Sequence, residues 1–139
     1  MKQFFTKINI ESEPGKLTEF TADVVKALDK RDIDNGLATL YIKHTSASLL
    51  IQENADKDVL YDLENFFNKL VPQDLALYKH KTEGPDDMPA HVRSALTCTH
   101  LSIPIIDNKL ELGVWQGIFL FEHRNNAHTR TVQLHIIGE

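Results

Sequence analysis

The chain has 139 residues, with 15 Lys and Arg against 20 Asp and Glu and a formal charge of −5. That length fits one domain, 1–139, with a core large enough to fold without covalent staples, and the acidic balance argues against sequence-independent nucleic-acid binding, which needs a positive footprint. Cys98 is the only cysteine, which excludes an intramolecular disulfide framework and a multi-thiolate zinc site, so any metal must be held by histidines and carboxylates.

In chain order, the N-terminus lacks the apolar core and small-residue cleavage site of a secretory signal, and no later run approaches the roughly 20 apolar residues that cross a bilayer. The expectation is a cytoplasmic protein with no membrane role. Phe4–Ile10 reads as a strand, ending at Ser12-Glu13-Pro14-Gly15 and pairing across that turn with a short strand over Lys16–Phe20. Thr21 then offers an N-cap oxygen to a helix whose stripe is Val24, Val25 and Leu28; a start at Leu17 also fits the helical period. After a turn over 33–36, Leu37–His44 alternates as a strand with Ala38, Leu40, Ile42 and His44 on one face.

Ser48–Gln52 reads as a further strand, and Asn54 as the cap of the best helix. Its buried stripe is Val59, Leu60, Leu63, Phe66, Phe67 and Leu70, its wet face Asp58, Asp62, Asn65 and Lys69, and its stop Pro72. Residues 73–87 sustain no period and contain Glu83-Gly84-Pro85-Asp86-Asp87, which predicts a long loop of the kind that carries function. Pro89 suits the first turn of a third helix reaching Thr97, with Val92 and Leu96 inward. Strands follow over Thr99–Ile106, Lys109–Leu112, Val114–Glu122 and Thr131–Ile137, with Asp107-Asn108 suited to a positive-φ turn. Strands and helices without strict alternation predict an α+β domain: a mixed or antiparallel sheet with about three helices packed against it.

His44 closes a strand and opens into Thr45, Ser46 and Ser48, while His80 and His91 flank the long loop. Three such imidazoles can hold zinc at about 2.0–2.1 Å and leave one position open, or they can be separate surface or packed histidines. His100, His123 and His128 are weaker candidates, and His135 alternates within a strand. Glu53, Asp56 and Asp58 either favour the positive end of the helix dipole or ligate magnesium, with Asp56 or Glu53 alternatively orienting His44. Glu83, Asp86 and Asp87 are turn formers or cation ligands. Gln116 sits on an apolar strand face and needs a partner. Glu122, Arg124 and Arg130, with Ser46, Ser48 and Thr129, form a surface charge network or a phosphate grip.

The ordered set His44-Thr45-Ser46-Ala47-Ser48-Leu49, Glu53-Asn54-Ala55-Asp56-Lys57-Asp58-Val59, His80, Glu83-Gly84, Ala90-His91 and Leu112-Gly113-Val114-Trp115-Gln116-Gly117-Ile118 resembles the YjbQ-like family, also called secondary thiamine-phosphate synthases. The resemblance implies a small cytoplasmic α+β protein assembled as a homotrimer, with its shared polar residues in a cleft near subunit contacts. It implies that His44, His80 and His91 line one metal site holding zinc or magnesium, with Asn54, Asp56, Trp115 and Gln116 nearby. Three positions depart from the family pattern: His100 stands where a Ser is usual, Asn108 where a Gly is, and Val114 where a Thr is. The first has no evident consequence, the second is tolerated in a left-handed turn, and the third removes a hydroxyl beside the expected site.

The implied activity joins a hydroxymethylpyrimidine diphosphate to a thiazole phosphate and expels pyrophosphate, as a weak or promiscuous reaction. Catalysis is expected from His44, Asp56 and Gln116, and substrate binding from Ser46, Ser48, Asn54, Trp115, Arg124 and Arg130, with Arg93 a further phosphate clamp. Two alternatives stand beside it. One is a non-catalytic module for a metal or phosphorylated ligand; the other is a zinc-dependent hydrolase with Glu53 or Asp56 as base.

Overall fold

Gly15, at a φ of 66°, redirects the chain between two sheets. The computed structural model describes all residues 1–139. Strand β1 (Lys2–Glu11) pairs with the last strand, β8 (Thr129–Gly138), whereas β2 (Leu17–Glu19) pairs with β7 (Gln116–Glu122). The expected hairpin between the first two strands therefore does not form, because the turn carries the chain out of one sheet and into the other.

The first sheet has the order β1-β8-β3-β5-β6, where β3 is Gly36–Ile42, β5 is His100–Ile106 and β6 is Lys109–Leu110. The second has the order β2-β7-β4, with β4 over Ala47–Glu53. Every pairing is antiparallel, and two sheets stand where one was expected. Their alternating faces meet in one core: Ile8 and Ile10 from β1, Ala38, Leu40 and Ile42 from β3, Val132, Leu134 and Ile136 from β8, opposite Ala47, Leu49, Ile118 and Leu120. Burying each of the Ile, Leu and Val side chains among them contributes about 1.5–3 kcal/mol. The β5–β6 hairpin closes as predicted on Asp107 and Asn108, both with positive φ, conformations that Asn and Asp tolerate.

Helix α1 (Thr21–Asp29) closes the core with Val24 and Leu28. Its N-cap is Phe20, with no side-chain cap. Thr21 is used elsewhere: its hydroxyl accepts from Ile118 N at 2.8 Å and donates to Glu19, tying the helix to β7. Helix α2 (Lys57–Leu70) starts at Asp56, whose carboxylate accepts from Asp58 N at 2.9 Å, so Asp56 rather than Asn54 is the cap.

The outer face of the second sheet carries Phe119, Phe121 and His123. Helix α2 covers it lightly, with Phe67 edge-on to Phe121. Phe66 and Leu70 are exposed, and the only fully buried residue of α2 is Glu64. Helix α3 (Asp87–Leu96) buries Asp87, Pro89, Ala90, Arg93 and Ser94, while Leu96 stays exposed. The apolar stripes expected of α2 and α3 thus overstate their burial. Between them runs a loop with a 3-10 turn at Leu75–Leu77, and no helix is long and apolar enough to cross a membrane.

Candidate metal centre

The start of α3 is acidic. Gly84, at a φ of 102°, turns the loop so that Glu83, Asp86 and Asp87 converge before the helix begins. One turn into α3, His91 returns to the same face as Asp87, since positions four apart lie above one another. Its Nε2 lies 3.2 Å from Asp87 Oδ2. From the loop, His80 Nε2 reaches Asp87 Oδ2 at 2.7 Å and Glu83 Oε2 at 3.0 Å. Ligand atoms of His80, Glu83, Asp87 and His91 all lie within 4.8 Å of one another. Ligands on one ion with bonds of about 2.0–2.2 Å stand at most roughly 4.4 Å apart, so a small side-chain adjustment fits this set to a single metal.

Arg124 organises the acidic turn. Its Nε donates to Asp86 Oδ2 at 2.9 Å, Nη1 to Asp87 Oδ1 at 2.7 Å, and Nη2 to Glu83 O at 3.0 Å; Asn125 N also donates to Asp86 Oδ2. Burial would raise the Asp87 carboxyl, but the hydrogen bond from His80 and the charges of Arg124 and His91 hold it below the usual carboxylate range. The hydrogen bond to Asp87 holds the His80 imidazole above its ordinary value. Three carboxylates against one guanidinium leave the cluster net negative, which a divalent cation would balance.

His44 lies outside this set. It and His91 share a shallow pocket of about 250 Å³ with Thr45, Ser94, Ala95 and Thr99, and its Nε2 accepts from Thr131 N at 3.1 Å. Burial, then the charge of Arg130, lowers its proton affinity. Behind it, at one end of the core, buried Glu122 takes hydrogen bonds from Arg130 and Ser12, each at 2.5 Å at its shortest, and Arg130 also donates to Ser46 Oγ at 3.0 Å. Arg124 and Arg130 therefore spend their donors inside the protein. Ser48 is equally enclosed, 2.8 Å from His123 Nε2. Burial first, then the charge of Arg93, lowers His123 to about 3, so this imidazole is neutral.

The remaining expected residues stand at the opposite end of the β4–β7 ladder. Glu53 pairs with Gln116 there, whereas Ala47 pairs with Glu122 at the histidine end; that run of strand separates the two ends by about 20 Å. Asn54 donates to Glu19 at 3.2 Å, and Gln116 Oε1 accepts from Gly113 N at 2.7 Å. Asp56 caps α2, and Trp115 and Val114 are exposed. Within one chain, Asn54, Asp56, Trp115 and Gln116 do not adjoin the histidines. Conversely, Glu83 and Asp87 join His80 and His91 in the cluster that could hold a metal ion, and the legible signals were His80-x-x-Glu83 and Asp87-x-x-x-His91.

A model of the family described as UPF0047 protein YjbQ-like matches residues 6–139. The chain belongs to that family. This YjbQ-like protein is 51% identical over 130 residues to a UPF0047 protein of Synechocystis sp., covering 94% of this chain and 88% of that one. Over 111 residues it is 41% identical to UPF0047 protein YjbQ of Escherichia coli O157:H7, covering 80% of each. A crystal structure of an uncharacterized conserved protein of the family from Clostridium acetobutylicum is 32% identical and matches at a TM-score of 0.85 over 95% of this chain and 99% of that one. A YbjQ-like protein of unknown function from Sulfolobus solfataricus P2 matches at 0.90 over 99% of both chains with 23% identity, which speaks to the fold alone.

Proposed function

We propose that this protein binds a divalent metal ion on His80, Glu83, Asp87 and His91 and holds a phosphorylated small molecule beside it. The observation that carries the reading is the meeting of two imidazoles and two carboxylates within 4.8 Å, in a cluster whose net charge calls for a cation. Imidazole donors favour zinc over magnesium, which prefers oxygen ligands and keeps its waters. When bound, such an ion supplies positive charge to a phosphate oxygen or a leaving group. The chain's own part is positional: Arg124 fixes the unshared oxygen of Asp87 and the backbone of Glu83, which leaves Asp87 Oδ2 directed between the two histidines.

The finer reading follows the resemblance: transfer of the pyrimidinylmethyl group of a hydroxymethylpyrimidine diphosphate to the ring nitrogen of a thiazole phosphate, the methylene C–O bond breaking as pyrophosphate leaves, in a cytoplasmic homotrimer. Such a trimer would complete the site in one respect. It can set the exposed Trp115–Gln116 end of one chain against the histidine end of a neighbour, uniting residues that stand about 20 Å apart within a chain.

The test is pyrophosphate release from the two substrates by zinc-loaded protein, compared with Asp87→Asn. The proposal expects release by the wild type and its loss in the variant. Metal-dependent binding of the diphosphate without any product would leave a binding module and remove the transferase reading.

A further inference from the structure

Arg93 points away from His91, because two residues of helix turn a side chain through roughly 200°. It is 4% exposed. Its Nη2 donates to Val71 O at 2.7 Å, and its Nε is buried without a partner. None of the ion pairs of the fold includes it. An arginine keeps its proton even when buried, so the fold encloses a positive charge that no carboxylate balances, an arrangement that costs stability unless something else compensates it.

The same arginine lines a cavity of about 340 Å³ with no hydrophobic residue in its wall, shared with Lys16, Glu64, Asn65, Asn68 and Asn125. Two of these charges cancel: Glu64 takes Lys16 Nζ at 2.9 Å and Leu17 N at 3.0 Å. Asn125 is committed to a reciprocal amide pair with Gln73, at 2.8 and 3.0 Å. What remains is the charge of Arg93 and the amides of Asn65 and Asn68, which lie one turn apart on α2 and take no part in the side-chain hydrogen bonds of the fold.

We propose that this cavity binds a small oxyanion, a phosphate or carboxylate group, held by Arg93 with Asn65 and Asn68. The chemistry fits on three counts. A guanidinium is a forked donor matched to paired oxygens, free amides add neutral donors, and the residual single positive charge repels metal ions. The volume lies at the small end of ligand cavities, which limits the occupant to a small molecule. None of the groups proposed to hold the oxyanion is a proposed metal ligand, although Asn125 in the cavity wall also bonds Asp86 beside the metal cluster.

Titration of the metal-free full chain with inorganic phosphate, and in parallel with acetate, followed by amide NMR, tests this. At least one of the two anions is expected to give saturable shifts centred on Lys16, Asn65 and Asn68, and the one that does names the source of the oxyanion. Asn68→Asp places a carboxylate in the cavity at an exposed helix position and is expected to weaken that binding by about tenfold or more, as is Arg93→Gln where it folds. His91→Ala is expected to leave it unchanged. Linear shifts with both anions, saturable binding that Asn68→Asp leaves undiminished, or binding abolished by His91→Ala would each overturn the proposal.

Discussion

Glu122 is fully enclosed, and burial alone would raise its carboxyl; hydrogen bonds from Arg130, Ser12 and Arg124 N outweigh that and hold it below its ordinary value of 4.5. A depressed folded-state value means that the contribution to stability is present above pH ~4.5 and is lost as pH falls through the folded value. Chemical denaturation from neutral to acid pH should therefore show a steeper acid loss in the wild type than in Glu122→Gln. Arg130→Met, which strands the carboxylate in the core, is expected to cost about 3–5 kcal/mol. A cost below about 1 kcal/mol, the range of exposed pairs, would show that the pair is solvated. The sequence marked Glu122, Arg124 and Arg130 as a surface network or a phosphate grip, because residue types alone do not reveal that Glu122 and Arg130 face inward between two sheets.

Elements were legible wherever a single face is buried. The alternation of Ala38, Leu40 and Ile42 located β3, and Asp107-Asn108 located its hairpin partner's turn, since both signals are local. Pairing was not legible for β1 and β2, because the Pro14-Gly15 turn reads like a hairpin turn although it joins two sheets. The caps were misplaced for a related reason: Asn54 and Asp56 are both good cap residues, and only the chain path chooses. That choice gives a prediction. Asp56→Ala is expected to cost about 1 kcal/mol in thermal or chemical denaturation, while Asp56→Asn, which keeps a capping oxygen, costs little. Neither should alter metal affinity of the isolated chain, as Asp56 stands at the far end of the β4–β7 ladder; a metal affinity that falls in Asp56→Asn would place the carboxylate in the centre after all.

At the scale of the molecule, the expected site residues fall into two groups at opposite ends of one strand pair, and one histidine of the expected three, His44, lies beside the His80, Glu83, Asp87 and His91 cluster rather than in it. His80 and His91 were readable as a pair because they flank the loop, whereas Glu83 and Asp87 looked equally like turn formers until the Gly84 turn and the first turn of α3 set them against the imidazoles. The proposed trimer would reunite the two groups, and light scattering at micromolar concentration checks it: the mass of three chains is expected, and a monomer mass would confine any site to the histidine end. Zinc binding by calorimetry to the wild type, His91→Ala, Asp87→Asn and His44→Ala tests the proposed metal site most directly. Saturable binding by the wild type is expected of that site, with affinity lower by about tenfold or more in His91→Ala and Asp87→Asn and near wild-type affinity in His44→Ala. A wild type that binds no zinc, or a His44→Ala variant that loses the metal while His91→Ala keeps it, would contradict it.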